Sequence, residues 1–479
     1  MRNQASSPNA TWIDTADVLD PVSETRRWGW AEIFVGIQLL LGIVLFLPGA
    51  QSYRTVIRAL PYVTSGAALL YYFRNSTGER LPVSASWLIL SVVLLALNLL
   101  HETTHWLAGV GQVVFQLCIA APAFWMGRAV RSEAHLMRVL WVLFVASALS
   151  SGLGILQVYY PNTFLPREFS ALAQSLNPEA IRSLTYVGAD GREIIRPPGF
   201  SDMPGGAAVA GLMTMILGLA LAVRRQQKAT MIVGCLAAAV VGMTALYFTH
   251  VRSLSILAVA SGGVFCALRF RQGRTIDGAL TLAAGVALVL GAYAWAVAVG
   301  GEALSNRFIP LVNDGVFRAF EENRGTFLRY TLTETLYEYP LGAGLGRWGM
   351  MNVLFGDPTL WQAPPIHVEI QATGWLLDGG IPMWLLYGGA IFVALRASYH
   401  VAVHAESQSL QDLATLVLCM QITIFGLCFT GPMFNTQLGV LFWAITGGLY
   451  GAVLGLQEQH EAWSAGAMAR SGDGEFRRG

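Results

Sequence analysis

Residues 84–127 read SASWLILSVVLLALNLLHETTHWLAGVGQVVFQLCIAAPAFWMG. Outside the five residues 101–105, His-Glu-Thr-Thr-His, the stretch carries no charge. A membrane-crossing helix takes roughly 20 apolar residues. This run is too long for one crossing and long enough for two, so HETTH is expected to form the polar turn between two spans. The same reading extends along the chain. Further apolar stretches near 31–48, 57–73, 137–157, 206–223, 230–249, 253–269, 277–299, 381–397, 413–430 and 437–456 join 84–100 and 106–127. The expectation is an all-α polytopic transmembrane helical bundle of about 12 spans. Composition agrees: 54% of the 479 residues are hydrophobic, 12% are charged, and mean hydropathy is +0.52, which excludes an ordinary soluble domain.

The net charge of +1 conceals an asymmetry. Arg128 and Arg131, then Arg224, Arg225 and Lys228, then Arg269, Arg271 and Arg274 fall between alternate spans, on the side of Arg26, Arg27, Arg477 and Arg478. The opposite short loops hold only Arg54, Arg58 and Arg252. The positive-inside rule then places both termini in the cytoplasm, and an even number of spans agrees. Residues 1–30, polar and carrying Asp14, Asp17, Asp20 and Glu24, read as a cytoplasmic tail and not a signal peptide. Residues 457–479 read as a disordered cytoplasmic tail. Cys118, Cys235, Cys266, Cys419 and Cys428 all lie in spans and give no disulfide framework. Gly447, Gly451 and Gly455 share one helix face, as close helix contact requires. No internal repeat is visible, which weighs against a transporter built from related halves.

Two long outer loops, about 158–205 and 300–380, interrupt the 31–456 membrane domain. They carry Arg167, Arg182, Arg192 and Arg196, then Arg307, Arg318, Arg324, Arg329 and Arg347. In the second, GTFLRYTLTETLYEYP (325–340) spaces Phe327, Leu328, Leu332 and Leu336 as an amphipathic helix ended by Pro340. The flexible LGAGLGRWG follows, then Pro364, Pro365 and His367.

Arginine stays charged and grips phosphate oxygens in a fork. Arg252, in FTHVRSLSILAV, Arg196, in IIRPPGFSDMPG, and Arg329, on the loop helix, are therefore candidates for binding an anion. Snorkelling or plain solvation is the competing reading for each. His367 is a candidate base near neutral pH. A second constellation is HETTH itself. On a helix, His101 and His105 would share a face and bind zinc with Glu102 as base. Asp378, in Leu377-Asp378-Gly379, would supply a third ligand, and HETTHWLAG with LLDGG resembles the motifs of intramembrane site-2 proteases. A turn at HETTH would break that face, and Thr103 and Thr104 stand where the protease pattern usually has glycine.

Residues 196–456 resemble the O-antigen ligase and O-antigen polymerase superfamily of bacterial envelope glycosyltransferases. RPPGFSDMP is similar to its Arg-x-x-Gly-Phe-x-x-Pro entry to a span, and VRSLSILAV to its Ser-Arg-led span. RYTLTETLYEYPLGAGLGRWG resembles its arginine helix followed by Pro-Leu-Gly-x-Gly. IHVEIQATGWLLDGGIPMWLLY resembles its His-led segment, with Val368 where the family usually has Asn or Ser, and with its acid, Asp378, placed late. NTQLGVLFWAITGGLYG resembles the closing Phe-Trp helix.

The resemblance implies metal-independent, cofactor-free transfer of a glycan from undecaprenyl diphosphate to a sugar hydroxyl on a second glycan or a lipid. It implies that Arg196, Arg252 and Arg329 bind diphosphate, with Arg347 as a weaker candidate. Arg329 and His367 would be the catalytic pair, His367 serving the acceptor. Membrane lipids and other polysaccharide-assembly membrane proteins are the implied partners, and nothing points to nucleic acid. Polymerase and ligase remain open, as do a zinc protease using His101, Glu102, His105 and Asp378, and a lipid-linked glycan flippase.

Overall fold

A computed structural model of the protein describes residues 29–47, 49–75, 80–166, 184–201, 203–224, 227–357, 359–360 and 362–475. The charged tail up to residue 28, Arg167, Arg182, Arg225, Arg477 and Arg478 lie outside these residues. The described residues are mostly helical, as expected of backbone that must satisfy its own hydrogen bonds in lipid. Among the described residues, nine helices are long and apolar enough to cross a membrane: Val83–Leu100, Trp106–Ala129, Glu133–Tyr159, Ala229–Phe248, Arg252–Arg271, Thr275–Asn313, Gln371–His404, Gln408–Phe429 and Gln437–Ser464. Trp30–Phe46 and Ala207–Ala222 are apolar but shorter. Arg54–Arg74 has 21 residues but carries three arginines and Pro61. Leu280, Leu282, Val286 and Leu290 all face outward on Thr275–Asn313, a surface that only lipid or another protein would cover.

Two features depart from the sequence reading. A small antiparallel hairpin, Thr185–Val187 with Glu193–Ile195, stands in the first outer loop. The last helix runs from Gln437 to Glu475, through most of the stretch expected to be a disordered tail. The glycine face does make its close contact. A Cβ on Gly451 would overlap the carbonyl oxygens of Gly127 and Val130.

HETTH forms a turn, as the length of its apolar run requires, and the turn clamps the second outer loop. Thr103 Oγ1 donates to the Ala343 carbonyl (2.7 Å), Leu345 N–H donates to Thr104 Oγ1 (3.0 Å), and His105 N–H donates to the Leu345 carbonyl (3.0 Å). The irregular glycine-rich segment 341–346 is thus held against the turn. On its other side it meets a break in Gln371–His404 at Gly379–Gly380. There Ala343 N–H donates to the Leu377 carbonyl (2.7 Å) and Ile381 N–H to the Pro340 carbonyl (2.9 Å). Gly344 has φ +84°, and a Cβ there would lie 2.5 Å from Thr103 Oγ1. Both the left-handed backbone and the contact exclude a side chain.

Gly344→Ala should therefore lower the thermal unfolding temperature of the detergent-solubilised protein, by the equivalent of at least about 2 kcal/mol. Gly262→Ala should leave it unchanged, because a Cβ there meets nothing within 4 Å.

Candidate functional site

The clamp delivers two residues to one place. Arg347, next after the glycine segment, is buried and satisfied by backbone: NH1 donates to the Ala343 carbonyl (2.9 Å) and NH2 to the Pro364 carbonyl (3.1 Å). Ile366 N–H returns a bond to the Arg347 carbonyl (2.8 Å). Arg347 so braces the extended segment 364–369. In extended backbone, alternate side chains point to opposite faces. Ile366 and Val368 pack on the apolar cluster of Ala343, Trp348 and Leu377. His367 and Glu369 therefore share the other face, where His367 Nε2 and Glu369 Oε1 are 2.7 Å apart. A carboxylate accepts from Nε2–H, which leaves Nδ1 as the basic nitrogen.

His367 and Glu369 line a cleft of about 490 Å³ with Arg329, Glu334 and Thr373. Its opposite wall is the loop helix. That helix begins earlier than the sequence spacing indicates, at Val316, and continues to Glu338 through two π-helical turns, Glu321–Gly325 and Thr331–Thr335. The wide turns rotate its face. Thr331 and Thr335 are buried, whereas Phe327 and Leu332 are exposed. Thr331 meets Thr373 through a hydroxyl–hydroxyl bond of 2.5 Å.

A second cavity of about 390 Å³ adjoins the first across Phe327, which lines both. Arg196, Arg252, Arg307 and Arg324 all line it, with His250. The hairpin places Arg196: its N–H donates to the Leu184 carbonyl (2.9 Å), and the Tyr186 ring stacks on His250 at 3.9 Å. Arg252 opens the helix Arg252–Arg271, whose first turn, Arg252 to Leu254, borders the cavity. Helix N-termini present unpaired N–H groups and a partial positive charge, which favour an anion. Arg324 pairs with Glu369, linking the arginine cavity to the His367 cleft.

His250 sits in a left-handed backbone conformation (φ 57°), uncommon for a residue other than glycine. Its ring is buried, and Nε2 has no hydrogen-bond partner among the described residues, nor has Arg196 Nε. Burial, then Arg196 and Arg307, push its pKa down to about 3. It is a neutral imidazole among cations, able to donate a hydrogen bond to an anion or accept one from a hydroxyl.

The structure thus gathers Arg196 and Arg252 in one cavity, and Arg329 and His367 in the next. It brings Arg347 to neither; Arg347 is a brace. The zinc constellation does not assemble. His101 and His105 lie in and after a turn, with no common helix face. Both ring nitrogens of His105 are engaged: Asp357 N–H donates to Nδ1 (2.8 Å), so Nε2–H donates to the Ala363 carbonyl (2.8 Å). Asp378 is buried and accepts from Trp348 Nε1 (2.7 Å) and Gln112 Nε2 (3.2 Å). Glu102 lies exposed on the turn. Among the described residues no three His, Cys, Asp or Glu side chains are grouped to hold a metal ion. Sequence reasoning passed over His250 and Glu369 and left Arg307 and Arg324 unassigned; the His-x-Glu spacing at 367–369 was the available signal, once the segment is known to be extended.

No protein-family model matches the chain, and no curated protein is significantly similar to it.

The folded protein keeps His250 neutral down to about pH 3, whereas an unfolded histidine takes up its proton near pH 6.5. Its contribution to stability is therefore complete above pH 6.5 and is lost as pH falls toward 3. Asn tolerates the left-handed backbone. His250→Asn should accordingly show a shallower loss of thermal stability between pH 6.5 and pH 4 than the natural protein; parallel curves would refute this account of the ring.

Proposed function

We propose that this protein is an integral membrane glycosyltransferase of the O-antigen ligase and polymerase type. It transfers a glycan from undecaprenyl diphosphate to a sugar hydroxyl. The reading rests on one observation above the others: a four-arginine cavity adjoins a cleft holding a His–Glu pair, at the ends of membrane-length helices. In this reading Trp30–Phe46, Arg54–Arg74 and Ala207–Ala222 complete twelve crossings. The arginine bias sets both termini in the cytoplasm of a bacterial inner membrane, and the two loops outside it.

The chemistry follows from the residues. The acceptor hydroxyl loses its proton to His367 Nδ1 as its oxygen bonds to the anomeric carbon. Glu369 holds the ring and stabilises the imidazolium that forms. The bond from that carbon to the diphosphate oxygen breaks, and undecaprenyl diphosphate leaves with the electron pair. Arg196, Arg252, Arg307 and Arg324 stabilise its growing charge, with His250 as a neutral hydrogen-bond donor. Arg329, on the loop helix, faces the same cleft as His367 and would hold the reacting end of the donor.

Cells lacking the gene should accumulate glycan-bearing undecaprenyl diphosphate, read by mass spectrometry of extracted lipids. Arg329→Ala and His367→Ala should each lower transfer by roughly a hundredfold or more, and His101→Ala should retain it. An unchanged lipid pool, or normal products from both of the first two variants, would sink this reading.

A further inference from the structure

A third cavity takes no part in this reaction. It lies between Arg252–Arg271, Gln371–His404 and Gln408–Gly426, and its volume is about 660 Å³. Arg252, in the cation cavity, and Arg271, in this one, are the two ends of one helix. At about 1.5 Å per residue they stand roughly 28 Å apart, on opposite faces of a bilayer. The groove is thus a separate site at the other membrane surface.

Its wall is graded. Val264, Leu268, Phe392, Leu395, Leu418 and Ile422 are its apolar lining. Arg271, at the end of its helix, lines it with Arg396 and Tyr399, which lie within the last two to three turns of Gln371–His404, and the Arg271 guanidinium lies 5.7 Å from the Tyr399 ring centre and ties two helices at that level. Val264 precedes Arg271 by seven residues, and Phe392 precedes Tyr399 by seven, which sets each about 10 Å deeper. The groove therefore runs from a cationic mouth into an apolar trough about as deep as one leaflet of hydrocarbon. Phe392 is 64% exposed, so the trough opens outward from the bundle.

The mouth has surplus charge. Nearby, Arg269 and Arg274 both pair with Asp412, and Arg274 also with Asp277. Arg271 and Arg396 have no carboxylate partner among the described residues.

We propose that this groove binds an anionic diacyl phospholipid. Its phosphate lies between Arg271 and Arg396, and one acyl chain lies along the Val264–Ile422 trough. Two guanidiniums complement a phosphate whose headgroup carries no cation, and they repel the ammonium of a zwitterionic lipid. An acyl chain asks no hydrogen bond of the wall, and the helices around it have satisfied their own backbone groups. The inference requires only that the bundle is embedded in a membrane and does not rest on glycosyl transfer.

The test is native mass spectrometry of the full-length protein in detergent, with phosphatidylglycerol and phosphatidylcholine added at equal concentration. Phosphatidylglycerol should be retained selectively, and Arg271→Gln/Arg396→Gln should weaken its retention by about thirtyfold. Where the glutamine pair fails to fold, Arg271→Lys/Arg396→Lys keeps both charges and should hold the lipid within about fivefold of the natural protein. Equal retention of the two lipids, or unchanged retention in the glutamine pair, overturns the proposal. So does complete loss in the lysine pair. Preference for added undecaprenyl phosphate would assign the groove to a polyprenyl chain, and a dimer broken by the glutamine pair would assign it to a second copy; either result overturns it.

Discussion

The outer half of this protein depends on one contact: the glycine segment 340–346 lying between the HETTH turn and the helix break at Gly379–Gly380. Neither flank is a regular element, and both expose backbone groups that need partners. Segment 340–346 supplies them: the Leu345 carbonyl takes the His105 N–H on one side, and on the other the Ala343 N–H meets the Leu377 carbonyl and the Pro340 carbonyl takes the Ile381 N–H. Such an approach requires backbone without Cβ. A Cβ on Gly380 would overlap the Pro340 carbonyl, as one on Gly344 would crowd Thr103. The threonines of HETTH thereby acquire a plain role. They are short hydroxyl side chains that reach backbone, which is what a clamp needs and a metal site does not.

Position then propagates by ordinary geometry. The glycine segment fixes Arg347, Arg347 fixes Pro364 and Ile366, and side chains 366–369 alternate. Val368 takes the apolar side with Trp348 and Leu377. The histidine and glutamate that flank it must then point together. Trp348 in turn donates to Asp378, so the acid that looked like a metal ligand anchors the same apolar cluster.

The fold was largely legible in the sequence because apolar length and charge bias report directly on membrane crossing. The length of 84–127 alone implied the turn that the structure contains. Three helices blur the count, since Trp30–Phe46 and Ala207–Ala222 are short and Arg54–Arg74 carries charge near its ends. Of the residues lining the two candidate cavities, Arg196, Arg252, Arg329 and His367 stood out in the sequence as residue types at helix starts and in loop motifs. Their partners did not. Glu369 acts through extended backbone, His250 through a left-handed turn, and the loop helix through π-helical turns that periodicity of 3.6 cannot anticipate. Arg347 was misjudged for the same reason: a charged residue beside glycines looks free until the carbonyls that surround it are placed.

Arginines in this protein fall into two physical classes, and the difference separates scaffold from receptor. Arg269 is almost fully buried and answered by Asp412, and Arg138 is answered by the buried Glu32. Those pairs offset the cost of removing charge from water. Arg347 reaches the same end with carbonyl dipoles. In the cavity beside His250, four guanidiniums converge, and Glu369 is the one carboxylate that meets them among the described residues. Burial opposes that arrangement, and it is what lowers the pKa of Arg196 and of Arg324. Rigid elements hold this group together: a hairpin for Arg196, a helix start for Arg252, the end of a broken helix for Arg307, and a π-helical turn for Arg324. Cations held close by scaffold and not by counter-ions form a preorganised field, and the species that gains most from such a field carries more than one negative charge.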